Sequence, residues 1–251
     1  MSGHSKWANI KHKKAASDKR KGRVFSRLGK EIMIAVKTGG SDATANPRLR
    51  TALNAAKSVN MPNANVDRAI KKGAGELGGA TFEEIVYEGY APGGAALIVE
   101  CLTDNRNRTA SDVRSIFDKN NGNLSGSGAV MWMFSRKARF VIMGENANEE
   151  KLMEIVIDPG AESIEVDEDV AEVWGPAEKF DSIAKALEEA GIKTEESGIV
   201  QKPSNTVGIK EPGVANQILR LVDTLEEYDD VQAVYSNFDI ASEILDSLEQ
   251  K

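Results

Sequence analysis

Between Arg139 and Gln201 the apolar pattern keeps switching period, and that rhythm restricts the fold more than any other feature. RFVIMG reads as a strand, NEEKLMEIVID as a helix, ESIEVDE and VAEVWG as two more strands, PAEKFDSIAKALEEAG as a second helix and KTEESGIVQ as a closing strand. Apolar residues two apart mark strands, and three or four apart mark helices. The order β-α-β-β-α-β is the ferredoxin-like, split βαβ arrangement. Upstream, EEIVYEGY and AALIVECLT are strands joined by the turn APGG; NRTASDVRSIFDKNNG is a helix with Val113, Ile116 and Phe117 inward, and GAVMWMF a strand. Downstream come the strand NTVGIK, the helix GVANQILRLVDTLEEYDD and the strand VQAVYSNF. The expectation is two ferredoxin-like α/β domains, one over 80–134 plus 204–251 and the other, 135–203, inserted in it.

The N-terminal third has a different pattern. VFSRLGKEIMIAVKTGG sets Val24, Phe25, Leu28, Ile32, Ala35 and Val36 at helical spacing, ended by Gly39 and Gly40. ANPRLRTALNAAKSVN offers Asn46 as N-cap and Pro47 at the first helical position. A third short helix follows in MPNANVDRAIKKGAG, and Gly75, Gly78 and Gly79 make a linker. These residues predict a basic three-helix domain over 23–79 behind an arm of residues 1–22. The fold class is α+β multidomain.

Charge separates the same parts. The 251-residue chain carries a formal net charge of −7, yet residues 1–75 hold 17 Lys or Arg against four acids, and residues 76–251 hold 15 against 35. An asymmetry of this size suggests a polyanion-binding module joined to a part that does not bind polyanions. A merely solvated face is the plainer reading, but such faces usually mix both signs. Candidate phosphate contacts are Lys6, Lys11, Lys13, Lys14, Lys19, Arg20, Lys21, Arg23, Arg27, Lys30, Arg48, Arg50, Lys71 and Lys72. Arg23, Arg27 and Lys30 share one helix face at steps of four and three. Trp7, flanked by Lys6, either stacks on an unpaired base or packs back over the helices.

Catalytic chemistry finds few residues to use. His4 and His12 are the only histidines, and no cysteine pair accompanies them, so neither a zinc site nor a His-based triad is expected. Cys101, the single cysteine, sits in an apolar strand run where a buried, inert thiol is the usual state. No enzyme activity, metal or cofactor is expected. NNGNLSGSGAV lacks the Gly-Lys-Ser/Thr ending of a phosphate loop, leaving an anion nest or a plain turn. In CLTDNRNRTASDV, Asn107 either caps the following helix or joins Asp104, Asn105, Arg106 and Arg108 in a second contact surface. Glu165, Asp167 and Asp169 read as a solvated strand edge. No run approaches about 20 apolar residues, so no membrane partner is expected. No apolar segment follows the basic start, so no signal peptide is expected, and a cytoplasmic location is the expectation.

Several blocks together go beyond composition. GHSKWANIKHKKAASDKRKGRVFSRLGKEI, NPRLRTALNAAKSVNMP, AIKKGAGE, YEGYAPGGAALIVECLTDNRNRT and the near match NGNLSGSGAV, with Asn121 where the family pattern has glycine, resemble the YebC/PmpR family. The mitochondrial translational activator of cytochrome oxidase belongs to the same family. The resemblance implies a helical N-terminal domain and two α/β domains, the third inserted in the second. It implies one of two non-enzymatic roles. One is a DNA-binding transcriptional regulator acting on promoter DNA. The other is a ribosome-associated translation factor binding ribosomal or transfer RNA and relieving stalled translation. The basic blocks carry the contacts in either role, Arg106 and Arg108 add a second surface, and the acidic domains are left for protein contact or homodimer formation. Departures such as MWMF fall in what read as core strands.

Overall fold

The computed structural model describes residues 18–78, 82–167 and 169–249. Its first unit is three helices, α1 (Asp18–Gly39), α2 (Pro47–Ser58) and α3 (Asn63–Gly73). Ile32, Ala35, Val36, Leu49, Ala52, Ala56, Met61 and Ala69 meet in their common core. Asn46 fixes the corner between α1 and α2. Its side-chain oxygen accepts the Leu49 N–H at 3.1 Å, and its amide donates to the carbonyls of Ala35 and Gly40. Pro47 stands at the first helical position, where a missing N–H costs nothing. Helix α1 starts at Asp18, within the stretch that apolar spacing leaves as arm. Lys and Arg are good helix formers, so helix can run ahead of the apolar stripe.

The second unit is a four-stranded antiparallel sheet in the order β3-β1-β2-β9, built from β1 (Glu83–Tyr90), β2 (Ala96–Thr103), β3 (Asn123–Ser125) and β9 (Val231–Ser236). The β1–β2 hairpin lies at its centre. Helices α4 (Arg106–Lys119) and α7 (Pro212–Glu227) contribute Val113, Phe117, Ile218, Leu221 and Leu225 to a core with Leu97, Val99 and Val231 of the sheet. Against the sheet's opposite residues, Ala96 and Ile98, pack Val130 and Phe134.

Between β3 and β8 (Val207–Ile209) in chain order lies a second sheet. Its strands are β4 (Phe134–Met143), β5 (Ser163–Asp167), β6 (Val170–Pro176) and β7 (Glu196–Pro203), in the order β5-β6-β4-β7. Each β-α-β step therefore skips one strand, as a split βαβ fold demands. Helices α5 (Glu149–Val156) and α6 (Phe180–Glu189) pack on Ala138, Phe140, Ile142, Ala171 and Val173.

Two segments depart from the expected pattern. GAVMWMF is not a strand: residues 131–133 form a single 3-10 turn, and β4 begins at Phe134. The N–H groups of Gly128, Val130 and Met131 donate to the Glu88 carboxylate at 2.6, 2.8 and 2.7 Å, so they have no ladder to join. The glycine-rich stretch is thus a nest, and the chain's own acid fills it. Downstream, β8 pairs in parallel with β10 (Phe238–Ile240) in a two-stranded ribbon, apart from the sheet. Asn237 breaks the strand between β9 and β10, its side-chain oxygen accepting the Ala96 N–H at 2.7 Å. A last helix, α8 (Ser242–Glu249), sets Leu245 against the α7 core.

Candidate nucleic-acid interface

The fifteen N-terminal candidates fall into three groups. Lys6, Trp7, Lys11, Lys13 and Lys14 lie outside the described residues. Lys19, Arg20 and Lys21 belong to the start of α1, where the backbone alone is described. The remaining seven have definite surroundings, and five of them face partners within the chain.

Arg23, Arg27 and Lys30 point at the C-terminal end of α7 and the turn after it. Arg23 pairs with Glu227 at 3.2 Å. Arg27 donates to the Glu226 carbonyl, and burial, with Arg23 nearby, lowers its pKa. Lys30 donates to the Asp229 carbonyl at 2.8 Å and to the Asp230 carboxylate at 3.0 Å. A helix C-terminus presents unpaired carbonyls and partial negative charge, which is where cations are stabilised. The α1 face read as phosphate-binding is therefore a docking face between units.

Asp230 is the centre of that junction. Besides Lys30 it accepts from Arg108 at 2.8 Å, Thr109 at 2.9 Å and Thr103 at 3.1 Å, with its side chain only 7% exposed. Burial alone would raise its pKa; the hydrogen bonds from Arg108, Lys30 and Thr109 outweigh burial and hold it at about 2. The second candidate surface is largely part of this knot. Asp104 pairs with Arg108 at 2.9 Å, and Asn105, not Asn107, caps α4 by accepting the Arg108 N–H. Arg106 remains exposed, 3.8 Å from Glu83. Cys101 lies beneath, and burial first, then the nearby Asp230 charge, pushes its thiol up to about 12.

Helix α2 makes two further contacts. Arg48 holds Glu31 through Nε at 2.7 Å and reaches Glu84 of β1 with a terminal nitrogen. Burial would lower its pKa, but these carboxylates raise it. Arg50 meets Asp181 of α6 at 3.0 Å, with both side chains well exposed. Lys71 and Lys72, with Arg68 in the same helix, are exposed in α3 and form no ion pair with a described residue. Lys57 at the end of α2 is in the same condition.

Helices α1 and α2, the second sheet, α7 and β9 surround a cleft of about 2310 Å³ whose lining mixes Arg23, Lys57 and Arg220 with Glu188, Glu195 and Asp223. On its sheet wall, Arg139 donates to the buried Glu172 through Nε at 3.2 Å, and Lys202 lies 4.1 Å from the Trp174 ring while pairing with Glu165 at 2.7 Å. Glu165, on the edge strand β5, is thus half-buried and paired, not solvated. The clue to this wall was charge inside apolar strands: Arg139 in RFVIMG and Glu172 in VAEVWG. Glu88 carried the same signal in EEIVYEGY. Among the described residues no group of His, Cys, Asp or Glu could hold a metal ion. No described helix is long and apolar enough to cross a membrane.

Fold and charge together define a class: a basic three-helix head docked by ion pairs on two acidic α/β units. The chain belongs to the TACO1/YebC family: residues 5–76 match the TACO1/YebC protein N-terminal domain, and residues 82–238 the TACO1/YebC second and third domain. A probable transcriptional regulatory protein of Brachyspira hyodysenteriae is 52% identical over 247 residues, 98% of this chain and 100% of that one. A protein of the same description from Syntrophobacter fumaroxidans is 50% identical over 248 residues, 99% of this chain and 100% of that one. In structure, a conserved hypothetical protein of Aquifex aeolicus superposes with a TM-score of 0.84 at 46% identity, covering 91% of this chain and 94% of the other.

Proposed function

We propose that the protein is a non-enzymatic, nucleic-acid-binding regulator of gene expression, acting as a DNA-binding transcriptional regulator through its basic N-terminal domain. The observation that carries the reading is the state of the α3 cations: Arg68, Lys71 and Lys72 stay exposed and free of ion pairs to described residues, while Arg23, Arg27, Lys30, Arg48 and Arg50 on α1 and α2 are taken up internally. Exposed cations on a short helix suit phosphate, which needs charge and position more than shape. Helices α2 and α3 are joined by residues 59–62, a connection of helix-turn-helix length. The description shared by the relatives, probable transcriptional regulatory protein, supports the regulatory role.

The second reading, a translation factor on ribosomal or transfer RNA, is favoured by where the cations sit. Lys71 and Lys72 lie in the last turn of α3, whereas a helix that reads bases in the major groove uses its N-terminal residues. Crosslinking in cells followed by sequencing of the bound nucleic acid tests both. Peaks at promoters support transcriptional control; peaks on ribosomal or transfer RNA replace it with the translational role. Recovery of neither ends the nucleic-acid reading.

A further inference from the structure

Trp132 stands 73% exposed, more than any other large apolar side chain among the described residues. Its setting is rigid. The indole N–H donates to the Ala129 carbonyl at 3.1 Å, so the ring's polar edge is satisfied by the chain itself. The turn beneath is held by the three N–H bonds to Glu88, which is 4% exposed, and by Val130, which is fully buried against Ala96, Ile98 and Phe134. Ser204 N–H closes the far side, donating to the Met133 carbonyl at 2.8 Å. Glu88 has a lowered pKa: burial would raise it, but the backbone N–H groups of Gly128, Val130 and Met131 prevail. A buried carboxylate thus fixes a surface turn, and the turn presents one large aromatic face to water.

Charge indicates what that face meets. From Lys119 to Gly144 the chain contains four bases and no acid, within a part of the molecule that is otherwise strongly acidic. Lys137 and Arg139 are paired with Glu162 and Glu172, whereas Lys119 and Arg136 are exposed. An exposed aromatic face on a stretch of chain that carries exposed cations and no acid matches an unpaired nucleobase and its phosphates.

We infer that Trp132 is a stacking platform for an unpaired base of a single-stranded nucleic acid, separate from the cations of the helical domain. The inference rests on the nucleic-acid reading above and adds the kind of strand recognised. Because the turn is already fixed, stacking orders little that was free, which favours binding.

The test is fluorescence anisotropy of single-stranded oligoadenylate and of a duplex of equal length, titrated with the full chain and with Trp132→Ala and Trp132→Tyr. Trp132→Ala should bind the single strand about 5- to 150-fold more weakly, as expected for loss of one stacked base. Its slope against salt should stay the same, because every cation that could meet a phosphate is still in place. Duplex affinity and the thermal midpoint should not move, and Trp132→Tyr should restore most of the binding. If Trp132→Ala binds the single strand like the wild type, or weakens on both probes equally, the platform is overturned while the nucleic-acid reading stands. If the wild type binds neither probe, both fall together.

Discussion

Two sets of cations on the helical domain look alike in sequence and have opposite surroundings. Arg23, Arg27 and Lys30 on α1 press against the end of α7, and Lys30 shares the buried Asp230 with Arg108. Arg68, Lys71 and Lys72 on α3 face solvent. The contrast teaches that a high density of Lys and Arg overstates a phosphate-binding surface. Part of the positive charge on an N-terminal module serves to attach it to an acidic body. Attachment through desolvated, hydrogen-bonded charge fixes geometry, while exposed charge remains available to a partner.

Breaking the α1 set should have the largest effect. Asp230→Ala leaves Lys30 and Arg108 without their shared acceptor, and removing one partner of a buried ion pair costs about 3–5 kcal/mol. Urea denaturation of the full chain would read the loss, and a change below about 1 kcal/mol would show that the junction is not held this way. Acid should loosen the same point more gently. Since folding lowers the Asp230 pKa from 3.8 to about 2, the stabilisation is fully present above the unfolded value and is lost as pH falls from about 4 through about 2. The amount at stake is about 2 kcal/mol. Melting curves across that window should fall more steeply for the wild type than for Asp230→Asn.

The α3 set should respond in binding and not in stability. Replacing Lys71 and Lys72 together by Gln should reduce the slope of log affinity against log salt by about 2 for duplex DNA, roughly one unit for each phosphate no longer neutralised. An unchanged slope would remove α3 from the interface. The smallest effect belongs to Arg50→Ala. Its exposed pair with Asp181 should be worth less than about 0.5 kcal/mol in denaturation. A larger loss would show that α2 and the second sheet are more firmly joined than one surface pair implies.

Local pattern made much of this architecture legible. The alternation of strand and helix periods from Arg139 to Gln201 foretold the split βαβ sheet, and Asn46-Pro47 foretold the start of α2, because each depends on neighbours within a few residues. What escaped depends on distant ones. Nothing inside GAVMWMF reveals that Glu88, some forty positions earlier, takes its N–H groups, so a run of apolar residues read as a strand is a turn with an exposed tryptophan. Nothing beside Lys30 reveals Asp230. Asn121 is the intermediate case. It sits at φ 58° just past α4, the left-handed conformation glycine favours and asparagine tolerates, which accounts for its place where the family pattern has glycine.

The separation of Lys30 from Asp230 also has a bearing on synthesis. The two are 200 residues apart, and chains are made at about 5–20 residues per second. Helix α1 therefore leaves the ribosome about 10–40 s before its counter-charge exists. For that interval the nascent protein carries its docking cations uncovered beside ribosomal RNA, and only the segment that holds Glu226, Glu227 and Asp230 withdraws them.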